Sequence, residues 1–365
     1  MKKISLIGST GSIGRQVIEC VKRHSGEYKI IALVSNSGGG LFDGQVEELK
    51  PAYYAAAGSD PEYALSLAEL PEADLIFNAA SGFAGLEYSY RAVNAGKRLA
   101  LANKETLVAG GELIMPLAAK TGAEILPVDS EHSAIWQCLG FDLNKPFKRL
   151  IITASGGPFK GVPYNSLGEV SPETALNHPT WKMGKKITVD SATLMNKGYE
   201  VIEAHMLYGA DYRNIETVIQ PQSIVHSLVE FNDGAVLAQT SLPTMEIPVQ
   251  LALSYPERLT SAVAPMDFKR AFSLEFEPLE REFYPCYDLA LECGECGGTA
   301  PCVLNAADET AVNAFLAGRI KYTDIYRVVK KTAEKVGLSA VENMEQLKEI
   351  DGRARTAAEE IIKRC

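Results

Sequence analysis

The chain has 365 residues, of which 46% are hydrophobic and 22% charged, and its formal charge is −10. That length exceeds a single compact core, so two or three domains are expected. The acid excess excludes a nucleic-acid partner, which needs a basic surface, but leaves room for a local basic pocket that takes a phosphorylated small molecule.

Short apolar runs at 4–8, 29–35, 74–80, 98–102, 124–129 and 149–155 alternate with helical patterns at 14–24, 85–95 and 106–120. Such alternation predicts βαβ units: an α/β fold with an N-terminal, Rossmann-like, doubly wound parallel sheet. Ligands of such sheets bind beyond the carboxyl ends of the strands. Met1 stands almost directly before the first strand, which leaves no room for a signal peptide, and no apolar run approaches the ~18 residues of a membrane span. A cytoplasmic protein without a membrane partner is expected. The seven cysteines, at 20, 138, 286, 293, 296, 302 and 365, read as free thiols. Cys293 and Cys296 form a C-x-x-C without a second ligand pair at regular spacing, so small packing thiols are favoured over zinc.

The first strand runs into Gly8-Ser-Thr-Gly11-Ser-Ile-Gly14 and then a helix. Gly8 allows a tight turn, Gly11 lets backbone amides approach a pyrophosphate, and Gly14 permits close helix-on-strand packing. The second strand ends in Ser35-Asn36-Ser37-Gly38, with no acid to hold a ribose diol; an acid would repel a 2′-phosphate, so the turn leans toward NADP. After the fourth run come Asn103, Lys104 and Glu105. Asn103 could meet ribose or nicotinamide and Lys104 a substrate oxygen; a solvated helix start explains the tripeptide equally well.

The fifth run ends in Asp129-Ser130-Glu131-His132. In extended backbone, 129 and 131 face one side, and two carboxylates so placed need a cation between them. All-oxygen ligands suit Mg²⁺ or Mn²⁺. A helix N-cap with a first-turn acid reads the same residues equally well. Glu200, one turn beyond Asn196 and Lys197, is the candidate third ligand, with Glu203 as runner-up. The small and hydroxyl residues after 153, Ser155 among them, could cradle a phosphate. Ser191, Asn196 and Lys197 offer further donors. Residues 177–205 read as a strand–turn–helix unit, and its first part, bracketed by Pro and Gly, as a mobile cover. There His178 could bond a phosphate while Trp181 and Met183 exclude water.

The middle of the chain shows strand patterns at 187–189, 217–219, 226–231 and 235–240, with an Asn-Asp-Gly hairpin signal at 232–234. A central α+β domain is predicted, with a sheet face that could pair two subunits. The Pro-punctuated stretch 243–285 resembles a linker, and helical, charged pattern follows it as a C-terminal bundle.

Taken together, these residues resemble the 1-deoxy-D-xylulose 5-phosphate reductoisomerase family. The match covers 8–14, 102–105, 126–132, 154–159, all of 177–205, the Pro221–Ser227 run containing His226, and Leu304-Asn-Ala-Ala-Asp-Glu309, where Asp308 replaces the family's usual Asn. The resemblance implies a three-part subunit in a homodimer. The expected parts are an NADPH-binding domain at 1–129, a catalytic and dimerisation domain at 130–254 with its flap near 177–187, a linker at 255–285 and a helical domain at 286–365. It implies that Asp129, Glu131 and Glu200 hold Mg²⁺, Mn²⁺ or Co²⁺. Thr10, Gly11, Ser12, Ile13, Asn36, Ser37, Asn103, Glu105 and Gly184 line the NADPH site in this reading. Ser155, His178, Trp181, Met183, Ser191, Asn196, Lys197, Glu200 and His226 face the substrate, and Lys104, Ser130 and Glu131 meet its oxygens. Lys104 and Glu131 are the expected catalytic residues, although Glu131 as a metal-bound carboxylate is a weak base. The implied reaction is rearrangement of a ketose phosphate followed by reduction. Two rivals are a metal-assisted NADP-dependent hydroxy-acid dehydrogenase without rearrangement and a non-catalytic NADPH-binding sensor.

Overall fold

The structure is a computed structural model that describes all 365 residues. Contacts divide it into two compact units. The first comprises Met1–Thr106, Leu113–Ser133 and Thr244–Pro265; the second comprises Leu107–Glu112, Ala134–Pro243 and Met266–Cys365.

In the first unit, β1 (Lys2–Ile7), α1 (Ser12–Arg23), β2 (Tyr28–Ser35), α2 (Gly40–Leu49), β3 (Tyr53–Ala56), α3 (Pro61–Ser66), β4 (Leu75–Asn78), α4 (Ala84–Asn94), β5 (Leu99–Leu101), most of α5 (Glu105–Thr121), β6 (Ile125–Pro127) and the start of α6 (Ser130–Cys138) alternate strand with helix. The strands pair in the order β3-β2-β1-β4-β5-β6, every pair parallel. The order reverses beside β1, which is where doubly wound sheets bind dinucleotides. β1, β4 and β5 are buried apolar runs because helices cover both faces of such a sheet.

The second unit holds β7 (Arg149–Ala154), α7 (Pro172–Ala175), α8 (Lys185–Thr193), α9 (Met195–Tyr208), β8 (Ile215–Ile219), β9 (Val225–Glu230) and β10 (Val236–Thr240). α10 (Glu246–Ser254) belongs to the first unit. β11 (Glu277–Pro278), α11 (Pro285–Cys296), α12 (Ala300–Leu316), α13 (Asp324–Lys335) and α14 (Met344–Ile362) complete the second. Its mixed sheet runs β10-β9-β7-β8-β11. The hairpin signal is realised: Phe231 N–H donates to Ala235 O, and Gly234 takes a positive φ of 87°. The unit's core gathers Tyr199, Leu304, Phe315 and Val328 from the helices and Tyr322 from the turn before α13.

Three local expectations are corrected. Residues 187–189 form part of α8, not a strand, and the whole of 177–205 contains no strand. A three-residue β-branched run cannot distinguish the two periods; the helix buries Val189 and Ala192, three apart, on one side. Glu131 lies in the first turn of α6, so it is a helix start and not extended backbone that brings a carboxylate oxygen of 131 within 4.8 Å of one of 129. Residues 246–254 are helix despite Pro248, because Pro248 sits in the first turn, where no intrahelical partner waits for its missing N–H. Arg23 on α1 pairs with Glu246 of that helix at 2.5 Å. β3, α2 and α3 had no clear signal; β3 is a four-residue edge strand of Tyr and Ala. All seven cysteines are free thiols, Cys293 buried and Cys296 exposed.

α9 packs on α11 through Gly198, where an added Cβ would stand 2.4 Å from the Cβ of Ala290. Gly198→Ala is expected to destabilise the protein by roughly 1–3 kcal/mol through overpacking, outweighing the ~1 kcal/mol gained in helix propensity. The midpoint of urea unfolding checks this; a raised midpoint would show that the two helices tolerate the methyl.

Candidate functional site

In the first unit, β1 leads straight into the glycine loop. Gly8 has φ +81°, and a Cβ there would lie 2.4 Å from Ala79 O; a Cβ on Gly14 would lie 2.2 Å from Gly8 O. Any side chain at either position would push the loop off the strand ends. Gly11 caps α1 without a side-chain bond, leaving the first-turn amides open, and Gly11 and Ser12 are exposed beside half-buried Thr10 and Ile13. Open amides at a helix N-terminus suit a pyrophosphate. At the end of β2, Ser35 Oγ donates to Ser37 O at 2.6 Å, and Asn36 and Ser37 are exposed.

Asn103 is committed to the protein itself. Its Nδ2 donates to Ala80 O, Gly82 O and Glu105 Oε2, and its Oδ1 accepts from Thr106. Glu105 in turn accepts from Gly82 N–H at 3.1 Å. The pair ties the turn after β4 to the start of α5. Lys104, the next residue, is 8% exposed, and its ammonium lies 3.0 Å from Asp129 Oδ2. Asp129 Oδ1 accepts the Ser130 N–H, and Ser130 Oγ donates to Glu131 Oε2. Both carboxylates therefore stand at the N-terminus of α6, whose dipole favours anions. The donors offered are carboxylate oxygens, which fit a hard divalent cation.

In the second unit, β7 ends at Ala154, and the chain passes through Ser155 and turns at Gly156 (φ +90°) and Gly157 (φ +67°). A Cβ on Gly157 would stand 2.7 Å from Ser191 O, so the bare turn lets β7 approach the end of α8. Ser155 Oγ lies 3.1 Å from His178 Nε2. The His178 Nδ1 accepts from the N–H groups of Thr180 and Trp181 at 3.1 and 2.9 Å. That fixes the tautomer: Nδ1 is the acceptor, so the neutral ring carries its proton on Nε2, aimed at Ser155. Burial lowers the His178 pKa, holding the ring neutral. The Trp181 ring stands edge-on to His226, 6.4 Å between centroids, and His226 Nε2 is 2.9 Å from Ser241 Oγ. Met183 is half-buried and Gly184 exposed; Gly184 is the N-cap residue of α8.

Leu194, at φ +54°, forms the corner between α8 and α9. Beyond it, Asn196 Nδ2 donates to Glu200 Oε1 at 2.5 Å, and Lys197 Nζ pairs with Glu200 Oε2. Glu200 is 1% exposed and Lys197 4%. Asn196, Lys197 and Glu200 thus share one face of α9, as the spacing predicted. Glu203, the runner-up, is buried a turn further along.

Family models match most of the chain. The model described as 1-deoxy-D-xylulose 5-phosphate reductoisomerase matches 4–66 and 55–111, and two C-terminal-domain models of that family match 125–208 and 240–357. The chain belongs to the 1-deoxy-D-xylulose 5-phosphate reductoisomerase family. It is 45% identical over 380 residues to the enzyme of that name from Thermodesulfovibrio yellowstonii, covering 99% of this chain and 100% of the relative. With the Pelotomaculum thermopropionicum enzyme it shares 46% over 383 residues, 100% of this chain and 99% of the relative. Among solved structures, the Zymomonas mobilis reductoisomerase in complex with NADPH superposes with TM-score 0.88 at 34% identity, covering 99% of each chain. A reductoisomerase in complex with NADPH, fosmidomycin and magnesium gives 0.89 at 36%, covering 100% of this chain and 98% of that one.

Sequence reasoning did not single out Asp190, Lys186 or the commitment of Asn103. Asp190 and Lys186 carried a signal only once 185–193 was known to be helical, since an i, i+4 Lys–Asp pair is invisible in a strand reading. The His178 geometry makes its own prediction. A folded-state pKa below the ordinary value near 6.5 stabilises the loop fully above that pH and loses the contribution as pH falls through the lowered value. Protonated Nδ1 can no longer accept from Thr180 and Trp181. Amide exchange at these two residues, corrected for the intrinsic rate, is expected to accelerate as pH drops below ~6.5; unchanged protection would show that Nδ1 does not hold them.

Proposed function

We propose that this chain converts 1-deoxy-D-xylulose 5-phosphate into 2-C-methyl-D-erythritol 4-phosphate, with NADPH and a divalent metal ion, on the non-mevalonate route to isoprenoid precursors. The observation that carries this is end-to-end relationship: relatives of matching length at about 45% identity span both units of the chain. The chain is an NADPH-dependent oxidoreductase of that family. A homodimer working in the cytoplasm belongs to the same reading, supported by family membership; no helix is long and apolar enough to cross a membrane.

The residue roles are part of the proposal. Asp129, Glu131 and Glu200 would hold Mg²⁺, Mn²⁺ or Co²⁺, which their oxygens suit. Thr10, Gly11, Ser12 and Ile13 would take the NADPH pyrophosphate, with Asn36 and Ser37 toward the 2′-phosphate and Gly184 on the nicotinamide side. Asn103 and Glu105 serve that site by holding the Gly82 turn. When bound, the metal supplies Lewis-acid polarisation and NADPH supplies hydride. Ser155, Ser191, Asn196 and the His178 Nε2–H would donate to the substrate phosphate. Lys197 has three N–H donors and can face Glu200 and a phosphate together. Lys104, nearly buried and positively charged, would stabilise oxyanion charge developing on the substrate, with Ser130 and Glu131 orienting its hydroxyls. Trp181 and Met183 would cover the substrate, with His226 supporting the Trp181 ring.

Product identity separates this reading from a hydroxy-acid dehydrogenase: a branched tetrol phosphate, formed as nicotinamide absorbance falls, is expected, and an unbranched product would reject the assignment. Glu200→Gln is expected to cut Mn²⁺ affinity and turnover by at least ~100-fold, the upper range seen for mere outer-shell partners, while NADPH binding persists; unaltered metal-dependent turnover would remove Glu200 from the ligand set. Trp181→Ala is expected to raise KM or lower kcat roughly tenfold or more. Unchanged kinetics would leave Trp181 a packing residue.

A further inference from the structure

We propose that Asp308 is a positioning residue for the substrate face of α8: with Asp190 it clamps the Lys186 ammonium and so fixes the helix that runs from the flap at Gly184 to Ser191. Lys186 Nζ lies 2.6 Å from Asp190 Oδ2 and 2.8 Å from Asp308 Oδ2. Lys186 and Asp190 are one turn apart on α8, and Asp308 comes from α12, so the clamp joins two helices. Asp308 is fully buried and Asp190 nearly so. The Tyr199 hydroxyl of α9 donates to Asp308 Oδ2 at 3.2 Å, and Lys186 also lies 5.0 Å over the Tyr199 ring. The Cys286 thiol of α11 faces both acids, and burial keeps it protonated.

One ammonium facing two buried carboxylates leaves a net negative charge, which is costly in a core. Both acids meet the same Lys186 ammonium through Oδ2, at 2.6 and 2.8 Å, which brings them close together, and each has one buried Oδ1 with no donor. A single proton held between them supplies that donor and makes the group neutral, since like charges this close do not both ionise. Burial, and then the charge of Asp308, raise the Asp190 pKa well above the usual carboxylate range. Folding therefore favours protonated Asp190, so the clamp is complete at low pH and loosens as pH rises through the raised value.

Asp308→Asn keeps the shape but needs no proton: its amide donates to Asp190 while its carbonyl accepts from Lys186. Asp308→Leu removes one arm. Infrared difference spectra, amide exchange of Thr188 to Ser191 and KM for the ketose phosphate, each followed from acid to alkaline pH, test the pair. The expected results are a protonated-carboxyl C=O band in the wild type that Asp308→Asn abolishes, and α8 protection and affinity that decline with pH in the wild type but not in Asp308→Asn. Asp308→Leu should raise KM roughly tenfold at every pH with little change in kcat, the loss expected for one hydrogen bond to a charged group. Absence of the band, superimposable pH profiles, or an Asp308→Asn enzyme as impaired as Asp308→Leu would overturn the proposal. Should Asp308→Leu fail to fold, wild type against Asp308→Asn still decides. The effect on KM rests on Ser191 contacting substrate. If the wild type turns over no ketose phosphate, that reading fails, while the band and the exchange rates still judge the clamp.

Discussion

A carboxylate removed from water must be answered by a cation or by hydrogen-bond donors, and this chain meets that demand three times with helical or helix-start lysines. Lys104 answers Asp129, Lys197 with Asn196 answers Glu200, and Lys186 answers Asp190 and Asp308. Removing one partner of such a pair costs about 3–5 kcal/mol, because the other is left buried and charged. The same demand makes these positions chemically useful. A carboxylate offers several lone pairs and an ammonium three N–H groups, so each such group can meet more than one partner at once.

Backbone turns decide where those groups stand. The corner at Leu194, in a conformation uncommon for a side chain with a Cβ, lets α8 end and α9 begin with no connecting loop. Ser191 and the Asn196–Glu200 face are thereby separated by a single bend. The Gly156–Gly157 turn brings β7 to the same place, and the hydroxyl of Tyr284, the residue before α11, donates to Gly156 O at 3.1 Å and holds the turn. Each device over-determines a local conformation that would otherwise be strained.

The two units carry different kinds of information about function. The first is a doubly wound sheet with an open helix N-terminus, a scaffold that many unrelated activities share. The second carries a less common arrangement: a loop organised by the His178 ring, which accepts from two backbone N–H groups, and a buried Lys197–Glu200 pair. Family membership rests on both, since the relatives align along the whole chain.

The sequence by itself determined the parallel sheet, the glycine loop and the Asn196–Lys197–Glu200 face. Each is a local period or spacing: alternation of strand and helix, glycines where a Cβ would collide with backbone, residues one turn apart. It did not determine that 187–189 is helical, that 130–138 begins a helix directly at Asp129, or that 246–254 is a helix packed on α1. Short apolar runs and first-turn prolines fit more than one local structure, and only burial against neighbouring elements selects among them. The Asp190–Lys186–Asp308 group lies beyond any local rule. Lys186 and Asp190 are one helical turn apart, but Asp308 comes from more than a hundred residues further along, and only the fold brings it to them and closes water out around all three.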